Sequence, residues 1–140
     1  MNLLLDTCVL SEMVKPKPDS QVVAWLAAQR PDALYISTLT LGELQKGVEK
    51  LEPCARKTYL EAFLHTEIRE GFIERTLSVD TEVALAWGRL VAQSERAGRR
   101  MPYVDSLIAA TALIYGMTLV TRNTRDMEGG GVALFNPWGD

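Results

Sequence analysis

Short apolar runs alternate with longer stretches of helical periodicity along the whole chain. Leu3-Leu4-Leu5 stops at Asp6. The later runs are Ala33-Leu34-Tyr35-Ile36, Thr76-Leu77-Ser78-Val79, Met117-Thr118-Leu119-Val120-Thr121 and Val132-Ala133-Leu134-Phe135. A run that is apolar without alternation, such as the first, suits a strand covered on both faces. Strands separated by helices pair in parallel, with their helices on both sides of the sheet. The pattern predicts an α/β fold: a three-layer α/β/α sandwich around a central, mainly parallel sheet.

The punctuation between the runs is equally local. Lys15-Pro16-Lys17-Pro18-Asp19 reads as a loop, because each proline fixes its own φ and restricts the residue before it. Asp19 or Ser20 then caps a helix through Val22, Trp25 and Leu26. Leu39 to Leu51 carries apolar residues every three or four positions, and Pro53 opens another helix through Tyr59, Leu60, Phe63, Leu64 and Ile68. Asp80 is the expected N-cap of a long helix. Gly98-Arg99-Arg100-Met101-Pro102 breaks the chain before a helix from about Tyr103 to Tyr115. No linker interrupts this order, and 140 residues with 47% hydrophobic content suit a single domain over residues 1–140. No run approaches the roughly 20 apolar residues of a membrane span, and Asp6 follows Met1 too soon for a signal-peptide core. Cys8 and Cys54 lack metal-ligand spacing, so free thiols in a reducing cytoplasm are expected. With 15 Lys and Arg against 18 Asp and Glu, the net charge is −3. A passive nucleic-acid-binding module, normally basic, is disfavoured.

The acids fall where ligands bind in open α/β sheets, beyond the carboxyl ends of strands. Asp6 ends the first strand, and Asp126 lies just past Thr121-Arg122-Asn123-Thr124-Arg125. Glu43 is expected in the first turn or so of the helix after the second strand, and Asp105 in the first turn of the helix before Thr118. Carboxylates that converge repel one another unless a cation neutralises them, and hard divalent cations take oxygen ligands. Each acid also has a local reading. Asp6 can cap the following helix, Thr40-Leu41-Gly42-Glu43 matches a capping box, Asp105 suits a helix N-terminus, and Asp126 suits a solvated loop. Asp105 is set apart because Leu107-Ile108-Ala109-Ala110-Thr111-Ala112-Leu113-Ile114 is apolar nearly all round, and such a helix is buried.

Other chemistries have less support. His65 is the sole histidine and has no nucleophile motif beside it. Gly129-Gly130-Gly131 reads as a turn, since no helix follows to supply N–H donors to a phosphate. Cys8 reads as a small buried hydrophobe, and Trp25, Trp87 and Trp138 as core or interface.

Asp6-Thr7-Cys8-Val9-Leu10-Ser11-Glu12 resembles the opening motif of PIN domains. Ser37 to Leu44 resembles their second motif, Asp105 to Ala112 the third, and Thr121 to Asp126 the fourth; Phe135-Asn136-Pro137-Trp138 resembles the tail of the FitB-like branch. The resemblance covers essentially the whole chain in order. It implies a VapC-type toxin of a type II toxin–antitoxin pair, a ribonuclease dependent on Mg²⁺ or Mn²⁺. It further implies that Asp6 and Asp105 are the principal metal ligands, that Glu43 completes the pocket, and that Asp126 is the fourth acid. Thr7 and Thr121 would support the pocket through their hydroxyls. Asn123 occupies a place where many relatives carry an acid. Cys8 replaces the usual asparagine and removes an amide able to bond the neighbouring acid.

Such an enzyme binds RNA despite its acidity if a metal bridges pocket and phosphate while a basic rim contacts the backbone. Arg99, Arg100, Arg122, Arg125, Lys15 and Lys17 are the candidates. The resemblance also implies a small antitoxin that blocks the pocket, and a homodimer that assembles into larger complexes with it. The stripes Leu41/Leu44/Val48 and Tyr59/Leu60/Phe63/Leu64 are candidate walls for a partner helix. Two other readings stay open: a PIN-like binding protein without catalysis, and a Mg²⁺-dependent phosphoacceptor signalling domain.

Overall fold

The computed structural model describes residues 1–139. Asp140, the last residue of the expected domain, lies outside them. The strands are β1 (Leu3–Leu5), β2 (Leu34–Ser37), β3 (Thr76–Leu77), β4 (Thr118–Val120) and β5 (Leu134–Phe135). The helices are α1 (Thr7–Glu12), α2 (Ser20–Ala27), α3 (Thr38–Glu49), α4 (Ala55–Ala62), α5 (Arg69–Gly71), α6 (Thr81–Arg96), α7 (Tyr103–Tyr115) and α8 (Thr124–Met127). The sheet order is β3-β2-β1-β4-β5 and every pairing is parallel. That order differs from the 2-1-3-4-5 order of phosphoacceptor signalling domains, which removes that alternative.

Strand periodicity builds the two outer layers. Leu3 and Leu5 face one side of β1 and Leu4 the other. Leu4 and Leu119 join Val83, Leu90 and Ile108 in the cluster under α6 and α7. Leu3, Leu5, Ile36 and Val120 join Val9, Leu10 and Ile68 in the opposite cluster, against which Trp25 and Leu44 pack. In register, Leu3 lies between Leu34 and Thr118, and Leu5 opposite Val120, so β1 is the buried centre of the sheet. Helix α7 spans the expected residues and is buried from Ser106 to Ala112. It ends at Gly116, whose φ of 64° lets Met117 N donate back to Ala112 O at 2.9 Å and sends the chain directly into β4.

The helix expected from Pro53 through Ile68 is instead broken. Regular α4 gives way to a π-helical segment over Phe63–Ile68 and then the short α5. The wider turn admits one more residue per bond and re-aims the stripe: Leu64 and Ile68 are buried while Tyr59 is 54% exposed. Strand β3 stops at Leu77 because Val79 is exposed and Asp80 already caps α6, accepting from Val83 N at 2.9 Å. Asp19 is the cap of α2, and the proline loop before it is pinned by buried Glu12, which bonds Asp19 N and Lys15 Nζ at 2.8 Å each.

Leu119 is fully enclosed at the sheet centre. Leu119→Ala is expected to destabilise the fold by about 3 kcal/mol, read as a lower urea midpoint at unchanged slope.

Candidate active site

The chain runs from β1 to β2 and β3 on one side, whereas β4 and β5 lie on the other. The carboxyl ends of β1 and β4 therefore flank the switch point, where α/β sheets open a crevice. Asp6 immediately follows β1 and is 3% exposed. Its Oδ1 accepts from Thr7 N at 2.8 Å, so it does cap α1. Its Oδ2 accepts from Thr121 Oγ1, just past β4, at 2.7 Å and more weakly from Cys8 Sγ at 3.7 Å. Thr121 Oγ1 in turn accepts from Asn123 N at 3.0 Å, which fixes the start of the β4–α8 turn. The local and the site roles of Asp6 thus coexist.

Glu43 lies early in the helix after β2, as expected, but not in a capping box. Helix α3 begins at Thr38, directly after β2, and Ser37 Oγ accepts from Leu39 N at 3.0 Å as its cap. Thr40 and Glu43 consequently form no capping box, and Glu43 stands in the second turn. Its carboxylate faces α1, where Thr7 Oγ1 donates to Oε1. Thr7 Oγ1 also lies 3.1 Å from Thr40 Oγ1. With its single proton committed to Glu43, Thr7 is the acceptor in that second pair. Thr40 is fully buried and is a supporting residue that sequence reasoning missed, because the capping-box pattern had absorbed it.

Asp105 is the third residue of α7 and half-buried. Burial pushes its carboxyl up to about 6, and the charges of Asp6, Glu43 and Asp126 push in the same direction. Among the described residues, no hydrogen bond or positive charge offsets them. Asp6, Glu43 and Asp126 thus lie near enough to Asp105 for their charges to act on it, with Asp126 exposed on α8.

Cys8 shows how the thiol fits where an amide is usual. Desolvation, and then the charge of Asp6, raise it to about 11, so it stays protonated and acts as a weak donor, not a nucleophile. Among the described residues, no group of three or more histidine, cysteine or acidic side chains is placed to hold a metal ion by itself. The donors here are hard carboxylate oxygens, buried or half-buried in Asp6, Glu43 and Asp105 and without a counter-charge. That set fits Mg²⁺, which takes one or two carboxylates and keeps several waters, better than a metal needing a full protein cage.

The basic candidates divide. Arg122 lies exposed one residue past Thr121, its guanidinium carbon 5.2 Å from the Trp138 ring centroid. Arg100 and Arg125 are exposed. Arg99 is engaged structurally, donating to the Glu128 carbonyl, and Lys15 is paired with Glu12 at 2.8 Å. Lys17 is exposed in the proline loop. His65 bonds Gln45 Oε1 at 2.8 Å and lies 3.8 Å from Glu61, touching none of the pocket acids.

Residues 3–128 match the PIN domain family. The chain is 36% identical over 138 residues to toxin FitB of Neisseria gonorrhoeae, with 99% of each covered. It is 35% identical over 136 residues to VapC ribonuclease Y4jK of Sinorhizobium fredii, with 97% of each covered. The crystal structure of FitAcB from Neisseria gonorrhoeae superposes with a TM-score of 0.94 at 36% identity, covering 99% of both chains. With the acidic pocket at the switch point of a parallel sheet and a match over most of its length, this chain belongs to the PIN domain family.

Proposed function

We propose that this chain is the toxic partner of a type II toxin–antitoxin pair and acts as a Mg²⁺- or Mn²⁺-dependent endoribonuclease. The observation that carries the reading is Asp105, raised by burial and by three neighbouring carboxylates, with nothing positive among the described residues to offset them. Such a pocket is costly unless a cation enters it. The likeness to a VapC ribonuclease and to toxin FitB supports the choice of substrate and of biological setting.

Asp6 and Asp105 would hold the ion, with Glu43 and Asp126 completing the pocket. When bound, Mg²⁺ or Mn²⁺ supplies a water of lowered pKa and neutralises charge on a phosphoryl oxygen. Thr7 holds the Glu43 carboxylate in a fixed rotamer, so its free oxygen is set to orient and deprotonate the attacking water. Thr121 and Asn123 keep Asp6 and the β4–α8 turn in place. Arg100, Arg122 and Arg125 are the rim that meets flanking phosphates.

A groove of about 430 Å³ opens on Thr7 and Glu43 and continues between Leu44, Val48, Leu60 and Phe63. Its apolar walls and its mouth on the pocket suit the antitoxin: an amphipathic helix along α3 and α4, with its chain reaching the acids. Exposed Leu85 on α6 and Leu113, Ile114 and Tyr115 on α7 support a homodimer contact on another face. Free Cys8 and Cys54 agree with a reducing cytoplasm.

The test is cleavage of labelled total RNA by the antitoxin-free chain with Mg²⁺, Mn²⁺ or chelator. Discrete metal-dependent products are expected, with Asp6→Asn and Asp105→Asn each at least about 100-fold slower; equal products from wild type and variants would sink the proposal. Thr121→Val keeps the shape but removes the donor to Asp6, and a 10- to 100-fold loss of cleavage or of metal affinity is expected.

Asp105 also sets a pH signature. Its folded value of about 6 lies above the ordinary 3.8, so the ion-free fold binds a proton that the unfolded chain does not. Stability from this group rises as pH falls from about 6 to about 4 and is lost above it. In chelator, Asp105→Asn should therefore be more stable than wild type at pH 7.5, by about 1–2 kcal/mol after allowing for solvent screening, and nearly equal to it at pH 4. Thermal melts at the two pH values check this. Added Mg²⁺ should raise the wild-type melting point at pH 7.5 and progressively less toward pH 5.5.

A further inference from the structure

Tyr103 opens α7 two residues before Asp105 and is 68% exposed, an unusual posture for an aromatic side chain beside a buried helix. It is not loosely placed. Its ring meets Trp87 of α6 edge-on, with centroids 5.5 Å apart and planes at 62°. Trp87 Nε1 donates to Ser106 Oγ at 2.9 Å, and Ser106 Oγ donates to the Tyr103 carbonyl at 2.7 Å. Trp87 is half-buried against the α6–α7 core, and its indole, tied to the first turn of α7, backs a ring left open to solvent.

A cavity of about 270 Å³ adjoins the pair, lined also by Arg99, Arg100, Met101 and Glu95. That volume lies at the small end of organic-ligand pockets. Arg99 is held by its bond to the Glu128 carbonyl, while exposed Arg100 makes no ion pair among the described residues. An aromatic face, an available guanidinium and polar edge groups at the same end of α7 as Asp105 form the combination that holds a base of single-stranded nucleic acid.

We infer that Tyr103, backed by Trp87 and flanked by Arg100, is a stacking subsite for an unpaired nucleobase of the RNA next to the bond being cut. The inference rests on the ribonuclease reading and deepens it. A buried apolar slot would suit a peptide side chain; the exposed ring with a cation at its rim suits a flat, charged-backbone ligand. The subsite selects strands whose bases are unstacked, and it is sequence-tolerant because every base has a π-face.

The test is fluorescence anisotropy of the antitoxin-free chain with a 5′-labelled oligoadenylate and with an abasic strand of equal length, both in chelator to prevent cleavage. Tyr103→Ala should weaken oligoadenylate binding about 10-fold or more, and Tyr103→Phe should stay within about twofold of wild type. Both variants should bind the abasic strand like wild type, whereas Arg100→Gln should weaken both strands. Because Tyr103 is exposed, unchanged melting curves are expected for its variants. Oligoadenylate affinity unaltered by Tyr103→Ala, or equal loss on the abasic strand, would overturn the subsite. So would loss of antitoxin inhibition at unchanged RNA affinity, which would assign this face to the protein partner. Wild type that cleaves and binds RNA while Tyr103→Ala matches it would defeat the subsite alone. Wild type that neither binds nor cleaves RNA would defeat the ribonuclease reading with it.

Discussion

A carboxylate buried at the end of a strand needs donors, and those on Asp6 come from both sides of the switch point. Thr7 N–H belongs to the helix that starts there, and the Thr121 hydroxyl arrives from β4, at 2.8 and 2.7 Å. Only a sheet that places β4 directly beside β1 in parallel brings Thr121 to that oxygen. The core follows from the same pairing. With Leu5 opposite Val120, the two strand ends are level, so the turns after them open at the same height and share one crevice. Without such donors, burial of the Asp6 charge would cost several kcal/mol.

Asp105 has the opposite environment, and the contrast is chemically useful. Asp6 is fixed by bonds to the protein, whereas burial and three like charges act on Asp105 with nothing among the described residues to offset them. Two carboxyl groups in one pocket with environments this different can take different tasks. On the proposed function, Asp6 is the rigid reference point and Asp105 the group available to a cation or a proton. Asp105 sits at the mouth of a well-packed helix, since α7 behind it is buried from Ser106 to Ala112. A strongly packed helix can carry an unfavourable charge at its mouth, and functional sites commonly hold such strain.

How much of this was legible depended on whether the determining contact was local. The bounds of α7 could be read because a helix apolar all round leaves one arrangement, and the caps Asp19 and Asp80 because their partners lie two or three residues away. The capping-box pattern at Thr40 and Glu43 misled for the same reason. Thr40 and Glu43 satisfy a local rule, but Ser37 satisfies it earlier, since β2 passes into α3 without a loop. The partner that orients Glu43 is Thr7, far away in sequence, and no spacing announces it. The π-helical segment after α4 was hidden too, because a periodic stripe does not reveal where one turn widens. Among the arginines, composition could not separate Arg99, spent on the Glu128 carbonyl, from Arg100 and Arg122, which reach solvent.

The acidity of the chain bears on how it would hold RNA. A net charge of −3 gives little long-range attraction to a polyanion, and Arg99 and Lys15 are already engaged within the fold. Affinity then has to come from short-range contacts: a cation shared between pocket and phosphate, guanidinium groups at the rim, and aromatic stacking. Each of these acts over a few ångströms and requires the strand to be bent into the crevice with its bases free. Paired RNA satisfies none of them well, because its bases are stacked on one another and its phosphates follow the helix, not the pocket. On the proposed function, selectivity for unpaired segments follows from the charge balance itself: a protein that cannot rely on counter-charge must rely on shape.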